Sequence, residues 1–482
     1  MTSTGLRVGL ALAIASTLVV GGCKNGASPS GLNAAVGGTG PGGGGGGGGG
    51  STVTVNPGPA LLTGVVLHNA VALNNGKILV VNGVDPAQGG GVNIDTQIVD
   101  VAGMLVSSAI QNAAQGGGSL ASLQDTLQTV PPVQGSPGQI LIQGQPPVGF
   151  VIVARVLGAS ATLLPNGQVL IVGGWGFERT DSTGANYVNR QGGPDPEALA
   201  SAHLFDPATE RFTRVPGLNT ARLFHNAMAL PNGNVLISGG VDSLTVTQQA
   251  TTFGNSVTQD EVFDITQSRF VNSGTAPHGI VFGGSAGLSA GGFVWGGLEN
   301  LGQGLNLPVD QAGTVIEAGI QTNQAGQQPT VVGRIAPTSP VGYAFAFGFT
   351  RIQDTLFVAG GEQLGIAGGQ LQQVTSGDCF LIDINGAPTP AGSMATPRDD
   401  GLTAVIGGQG TRIVVACGLD ANSTAIPDCE LWDSATRNFV GVFPIPLHDG
   451  GVACRLPSGQ VALVGGTDAS GGPVLQVDIL VN

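Results

Sequence analysis

The chain has 482 residues, of which only 10% are charged and 84 are glycine, and its 16 basic against 30 acidic side chains give a net charge of -14. That length is ample for a large buried core, and that sign is wrong for a surface that binds nucleic acid. With so few charges, solubility must rest on Asn, Gln, Ser, Thr and the backbone.

Residues 1–22 read as an export signal, with Arg7 after a short polar start, then VGLALAIASTLVV, then small residues leading to Cys23. These thirteen apolar residues are too few to span a bilayer as a stable helix. VGGC resembles the lipobox of bacterial lipoproteins, which implies cleavage before Cys23 and acylation of its amino group and thiol. Buried acyl chains contribute about 0.8 kcal/mol per methylene, enough in combination to anchor a protein to a membrane. Lys24, where Asp would favour the inner membrane, resembles the pattern of outer-membrane lipoproteins. The implied setting is the bacterial cell envelope, with the protein tethered to the outer membrane. Residues 23–50 hold no periodic apolar pattern and include an uninterrupted glycine run from Gly42 to Gly50, the composition of a flexible linker.

Ordered sequence is expected from Ser51, where STVTV alternates as a strand does. Beyond it the phrase PNGNVLISGG at 231–240 recurs as NNGKILVVNG, PNGQVLIVGG and PSGQVALVGG, and more loosely as SAGGFVWGG, QDTLFVAGG and GTRIVVACG. Its last glycines are Gly83, Gly174, Gly240, Gly297, Gly361, Gly418 and Gly466. Around it, FHNAMAL predicts a first strand, Asn232 and Gly233 a two-residue hairpin turn, NVLIS a second strand, DEVFDI a third and SRFVNS a fourth. In LFDPATERF, Asp206 and Pro207 suit a type I turn between the third and fourth strands. The unit is therefore four antiparallel strands, with no long helix.

This unit resembles the kelch repeat, a four-stranded blade of a β-propeller. The resemblance rests on the paired glycines 173/174, 239/240, 296/297, 360/361 and 465/466 and on the pre-strand arginines Arg155, Arg222 and Arg398. It rests also on the third-strand aspartates Asp206, Asp264, Asp383 and Asp433, followed by Phe212, Phe270 and Phe439. It covers nearly all of residues 51–482, with Asn82 and Cys417 in place of a first glycine. An all-β, kelch-type propeller of seven four-stranded blades is expected. The last unit supplies only three strands, so STVTV at 51–55 is expected to complete it and close the ring.

The turns between first and second strands and between third and fourth strands stay short. Length accumulates instead after the paired glycines and between blades, and an antiparallel blade brings both of those connections to one end. Variable loops on a rigid scaffold are where binding surfaces are built. The longest post-glycine insertion carries Trp175, Phe177, Glu178, Arg179, Tyr187 and Arg190, and Trp, Tyr and Arg are residue types that dominate interface energies; Trp175, Phe177, Arg179, Tyr187 and Arg190 are the candidate binding-face residues.

Catalytic motifs are missing from the sequence: there is no G-x-S-x-G elbow, and none of His68, His203, His225, His278 and His448 stands in an HExxH or CxxC context. His68 and His225 occupy matched positions in LHNAVAL and FHNAMAL, which favours packing over metal binding. The kelch enzyme galactose oxidase uses a copper site of two His and two Tyr, one Tyr cross-linked to Cys. Here Tyr187 and Tyr343 are the only tyrosines and neither lies near a Cys, so no cofactor is expected. Cys417 and Cys429 flank one post-glycine loop and are candidates for a disulfide. The sequence thus points to an envelope lipoprotein whose propeller is a protein- or glycan-binding or scaffold module. The alternative is a carbohydrate-active or oxidase-type propeller enzyme with its site at the channel mouth.

Overall fold

The computed structural model describes residues 52–81, 83–85, 91–92, 96–108, 139–140, 148–149, 154–177, 197–246, 251–289, 291–300, 302, 305–306, 317–322, 330–335, 343–345, 348–367, 370–383 and 385–482. The export signal, Cys23 and the glycine-rich linker lie outside them. Among the described residues the regular structure is all β, and seven sheets have four antiparallel strands. We number these blades by their innermost strands: Asn69–Ala72, Ser160–Leu163, Asn226–Ala229, Gly284–Leu288, Gly348–Ile352, Leu402–Ile406 and Val452–Arg455. Each of these strands packs on the next, and the seventh returns to the first. The result is a closed ring, a β-propeller.

Blade 3 shows how the repeat phrase folds. Asn226–Ala229 pairs with Val235–Ser238 across the Asn232-Gly233 turn, then come Gln259–Asp264 and Arg269–Thr275. Gly233 has φ +86°, as such a turn requires. In the second strand Val235 and Ile237 pack towards blade 2, while Leu236 packs towards blade 4. Both faces of every blade meet a neighbour, so the second strands are buried on both faces rather than alternating. The core is correspondingly divided into wedges between successive blades, such as that of Ala286, Phe293, Trp295, Phe349 and Val358 between blades 4 and 5. Burying each such side chain contributes about 1.5–3 kcal/mol.

The paired glycines are inter-blade contacts. The Gly240 N–H donates to Ile280 O of the next blade's entry segment, as Gly174 does to Arg222, Gly361 to Arg398 and Gly466 to Val65. A Cβ on Gly239 would lie 2.1 Å from Ile280 O, and Gly239 and Gly240 have φ of +71° and +88°.

The N-terminal strand closes the ring as the outermost strand of blade 7, paired antiparallel with Gln476–Val481. It runs Thr54–Ala60, and so extends past STVTV through Pro57, Gly58 and Pro59. Proline is tolerated because the strand is at an edge and its register is broken by a bulge between Pro57 and Ala60.

Candidate functional site

Connections from second to third strands and from blade to blade emerge at one end of the ring, and several of them carry further β structure. Leu244–Val246 pairs with Thr251–Phe253 above blade 3, Glu362–Ala367 with Gln370–Thr375 above blade 5, and Glu299–Asn300 with Leu305–Asn306 above blade 4. Entry segments join this second tier. Tyr343–Phe345 pairs with Glu362–Ala367, and Ala154–Leu157 with Trp175–Phe177.

The entry segments are held by buried acids on the third strands. In blade 3, Arg222 Nη2 donates to Glu261 Oε1 at 2.8 Å, and the N–H groups of Asn219 and Thr220 donate to the same carboxylate at 2.7 and 3.2 Å. Both ionic side chains are fully buried. Blade 6 repeats the device: Arg398 donates to Glu430 at 2.9 Å, and Ala395 and Thr396 donate their N–H groups to it. In blade 7 the pair becomes His448 and Asp478, 3.0 Å apart, with His448 Nδ1 2.8 Å from Gly465 O. Blade 1 is neutral there, with Val65 at the Arg position and Gln97 Oε1 accepting the Leu62 and Thr63 N–H groups. These charges are structural.

Two residues further on, the described entry segments of six blades turn left-handed at the channel mouth. Bridges such as Val66 with Val84, Leu223 with Val241, Val281 with Leu298 and Asp399 with Leu419 set a common register. The residue after each is Leu67, Phe224, Phe282 and Asp400, with φ of 57°, 55°, 56° and 55°. Gly158 and Gly450 fill the position in blades 2 and 7, with φ of 69° and 66°. Outside glycine this conformation costs roughly 1–2 kcal/mol per residue, and for a bulky residue it is an outlier. Phe224 and Phe282 adopt it and meet across the blade boundary with ring centroids 4.8 Å apart. Phe253, from the hairpin above blade 3, stands 6.1 Å from each. All three rings are partly buried and partly open to solvent. Asp242 adjoins them, its Oδ1 where a Cβ on Gly254 would come within 2.0 Å. Asp400 and Asp449 stand on the other side of the ring, and burial raises the Asp449 carboxyl above its ordinary range.

Trp175, Cys417 and Cys429 do not take the places expected of them from the sequence. Trp175 is buried, its Nε1 donating to Leu244 O at 3.0 Å, so it pins the blade 2 insertion to the blade 3 hairpin instead of facing a ligand. Phe177 belongs to the strand Trp175–Phe177, its side chain being outside the described set, and Arg179, Tyr187 and Arg190 lie outside the described residues altogether. Cys417 and Cys429 are not bonded: these two and Cys379 and Cys454 are buried free thiols. The register explains it. Cys429 pairs with Ala416, while Cys417 follows in the first-glycine position at φ 55° and accepts the His448 N–H. Burial pushes the Cys417 and Cys429 thiols up to about 12.

The matched histidines are packing residues. His225 lies over Gly173 of blade 2, where a Cβ would come within 2.9 Å of its Cε1, and His68 lies in the same way over Gly465 of blade 7, at 2.7 Å. His225 Nε2 also bonds Ser160 Oγ at 2.8 Å. Desolvation lowers His68 to about 4 and His225 to about 3. His278 is committed to Glu299 at 2.9 Å. Among the described residues no three His, Cys, Asp or Glu side chains are placed to share a metal ion. The third-strand acids and the aromatic trio escaped the sequence reading. The only sequence signal for the acids was their fixed offset, three residues before the third-strand aspartates Asp264 and Asp433.

Fold and face together define a β-propeller that presents a loop-built surface around one channel mouth. The fungal alcohol oxidase of the AA5 family, solved in complex with copper, has a similar fold: TM-score 0.51 at 13% identity, covering 89% of this chain and 75% of that one. YjhT aligns with a TM-score of 0.46 at 13% identity over 80% of this chain and 99% of that one. In sequence, 145 residues, 28% of the chain, are 30% identical to tRNA wybutosine-synthesizing protein 4 of Saccharomyces cerevisiae, and the match spans 18% of that protein's length. No described protein family matches the chain.

Proposed function

We propose that this protein is a kelch-type propeller acting as a binding or scaffold module of the bacterial envelope, tethered through lipidated Cys23 and engaging its ligand at the long-loop mouth. The observation that carries this reading is the use of two phenylalanines, Phe224 and Phe282, at left-handed positions where blades 2 and 7 place glycine. Strained backbone persists where the surroundings over-determine it, and such sites cluster at ligand contacts. The buried charges beside the mouth already serve the scaffold, so what the surface offers on blades 3 and 4 is aromatic contact area. The reading is tested with Cys23→Ser protein, freed of its anchor, in sedimentation with isolated envelope fractions. It should bind, and the Phe224→Gly/Phe282→Gly variant, which keeps the backbone conformation and removes both rings, should bind at least tenfold more weakly. Equal sedimentation of the two proteins would overturn it.

A further inference from the structure

Blade 1 departs from its neighbours at one exposed place. Its third and fourth strands, Gln97–Asp100 and Leu105–Ser108, are joined at the short-turn end of the ring, where Asp100 Oδ1 accepts the Gly103 N–H at 2.8 Å. Met104 closes this turn in the left-handed region at φ 52°, as Glu210, Ser268 and Arg437 do in blades 2, 3 and 6 at 54°, 49° and 52°. The residue after each is Leu105 in blade 1 but Arg211, Arg269 and Asn438 in the others. Of these four matching turns, that of blade 1 alone ends in two large apolar side chains. Met104 and Leu105 are 54% and 67% exposed, the highest values of any large apolar side chain among the described residues. Val106 turns the other way, into the wedge between blades 7 and 1, so the strand's period of two leaves Leu105 facing out. The pair buries little in the fold, and a bulky residue is a poor occupant of a left-handed backbone.

The chain enters the ring beside this turn. Thr54–Ala60, the outermost strand of blade 7, pairs Thr54 with Val481 and Ala60 with Gln476. Its first residue is therefore at the short-turn end, where Asn482 Nδ2 donates to Thr52 O at 2.8 Å and Asn482 Oδ1 accepts from Arg412 at 2.9 Å. Thr54–Ala60 lies against Leu105–Ser108 of blade 1, and both strands start at that end. Residues 23–50 thus join the ring on the rim that exposes Met104 and Leu105. Two adjoining side chains are too small for a specific protein interface, which buries upward of about 1,000 Å². They suffice to enter a bilayer already held close, because a tether makes the second contact intramolecular. Resting on the reading of residues 23–50 as the lipid tether, we infer that the blade 1 turn is a membrane foot. Met104 and Leu105 seat in the lipid interface, so the ring stands on its short-turn end and holds the long-loop mouth away from the bilayer.

The test installs the tether chemically. The chain from Cys23 onward has one cysteine besides the four buried thiols, and a maleimide carrying one myristoyl-length chain couples there. A single such chain binds membranes only marginally and reversibly, so a second contact shows in the partition onto vesicles of phosphatidylethanolamine and phosphatidylglycerol, measured by sedimentation. Met104→Ser/Leu105→Arg, which copies the blade 3 turn, should partition at least about tenfold more weakly than the parent, with unchanged thermal unfolding. Met104→Leu/Leu105→Met should partition as the parent does. The difference should survive about 1 M salt, where the screening length is about 3 Å. Leu105→Trp should be quenched by brominated lipid, and Ala421→Trp, exposed on the long-loop side, should not. Equal partition of the parent and Met104→Ser/Leu105→Arg, a difference abolished by salt, or equal quenching at 105 and 421 would each overturn the inference. So would a dimer, seen by analytical ultracentrifugation without vesicles, that Met104→Ser/Leu105→Arg converts to monomer, since a second copy would then cover the pair. Because the alkyl chain is attached in vitro, each of these results rejects the foot alone. Failure of Cys23 acylation in cells would instead reject the tether and leave the partition result standing.

Discussion

Replacing Arg222 by Val leaves the Glu261 carboxylate fully buried without its counter-charge. Removing one partner of a buried pair costs about 3–5 kcal/mol. The Asn219 and Thr220 N–H groups and Asn219 Nδ2 still donate to Glu261, which places the expected loss near the lower end, about 3 kcal/mol. Blade 1 shows how the site is built without charge, with Val65 and Gln97 at the two positions and the Leu62 and Thr63 N–H groups bonded to the amide oxygen. Arg222→Val/Glu261→Gln copies that arrangement into blade 3 and should recover most of the loss, to within about 1 kcal/mol of the parent, since an uncharged amide carries no ionic desolvation penalty. Equilibrium urea unfolding of the parent, both single variants and the double gives the coupling directly. A double variant as unstable as Arg222→Val would refute the assignment of Glu261 as the acid that needs the arginine.

Gly239→Ala should destabilise by more than about 2 kcal/mol, from a Cβ placed 2.1 Å from Ile280 O and a φ of +71°, and thermal unfolding measures it. Burial lowers His68 to about 4 and His203 and His225 to about 3 from an ordinary 6.5. The unfolded chain therefore takes up protons that the fold refuses, and stability should fall as pH drops from 6.5 towards those values. Asp260, raised by burial from 3.8 to about 7, and Asp449, also raised by burial, have the opposite sign, their contributions being lost as pH rises through their folded values, but they are two groups against three. His225→Gln should flatten the acid limb of a plot of melting temperature against pH, and an unchanged slope would show that buried histidines are not its source. In Cys23→Ser protein the four buried thiols should resist a thiol reagent when native and react fully in urea; fewer than four reactive thiols in urea without reductant would restore a disulfide.

The blades were readable because their signals are local. A PNG turn, an apolar strand and a glycine pair fall within ten residues in PNGNVLISGG, and each has a conformational meaning independent of the rest of the chain. Closure by the N-terminal strand followed from the three-strand last unit, although prolines at 57 and 59 hid how far that strand extends. The candidate site was less legible. Trp175 looked like a ligand contact because its loop gathers aromatics and arginines in a chain otherwise poor in both, but a tryptophan with a reachable carbonyl, here Leu244 O, also makes a good internal strut. Arg222 and Arg398 stood out as repeats, whereas their acids, 39 and 32 residues away, vary to Gln97 and Asp478 in other blades and left no fixed motif. The Phe224 and Phe282 pair depends on a left-handed turn and on packing between neighbouring blades, neither of which is encoded by spacing within a unit.

The central claim is that partners are engaged at the long-loop mouth and not at the opposite end. Photo-crosslinking in intact envelopes tests it most directly, with a photoreactive phenylalanine analogue placed once at Phe253 and once at the exposed Arg437 on the short-turn side. The account predicts a discrete crosslinked species from position 253 that position 437 does not form. The same species from both positions, or a discrete species from 437 alone, would contradict it.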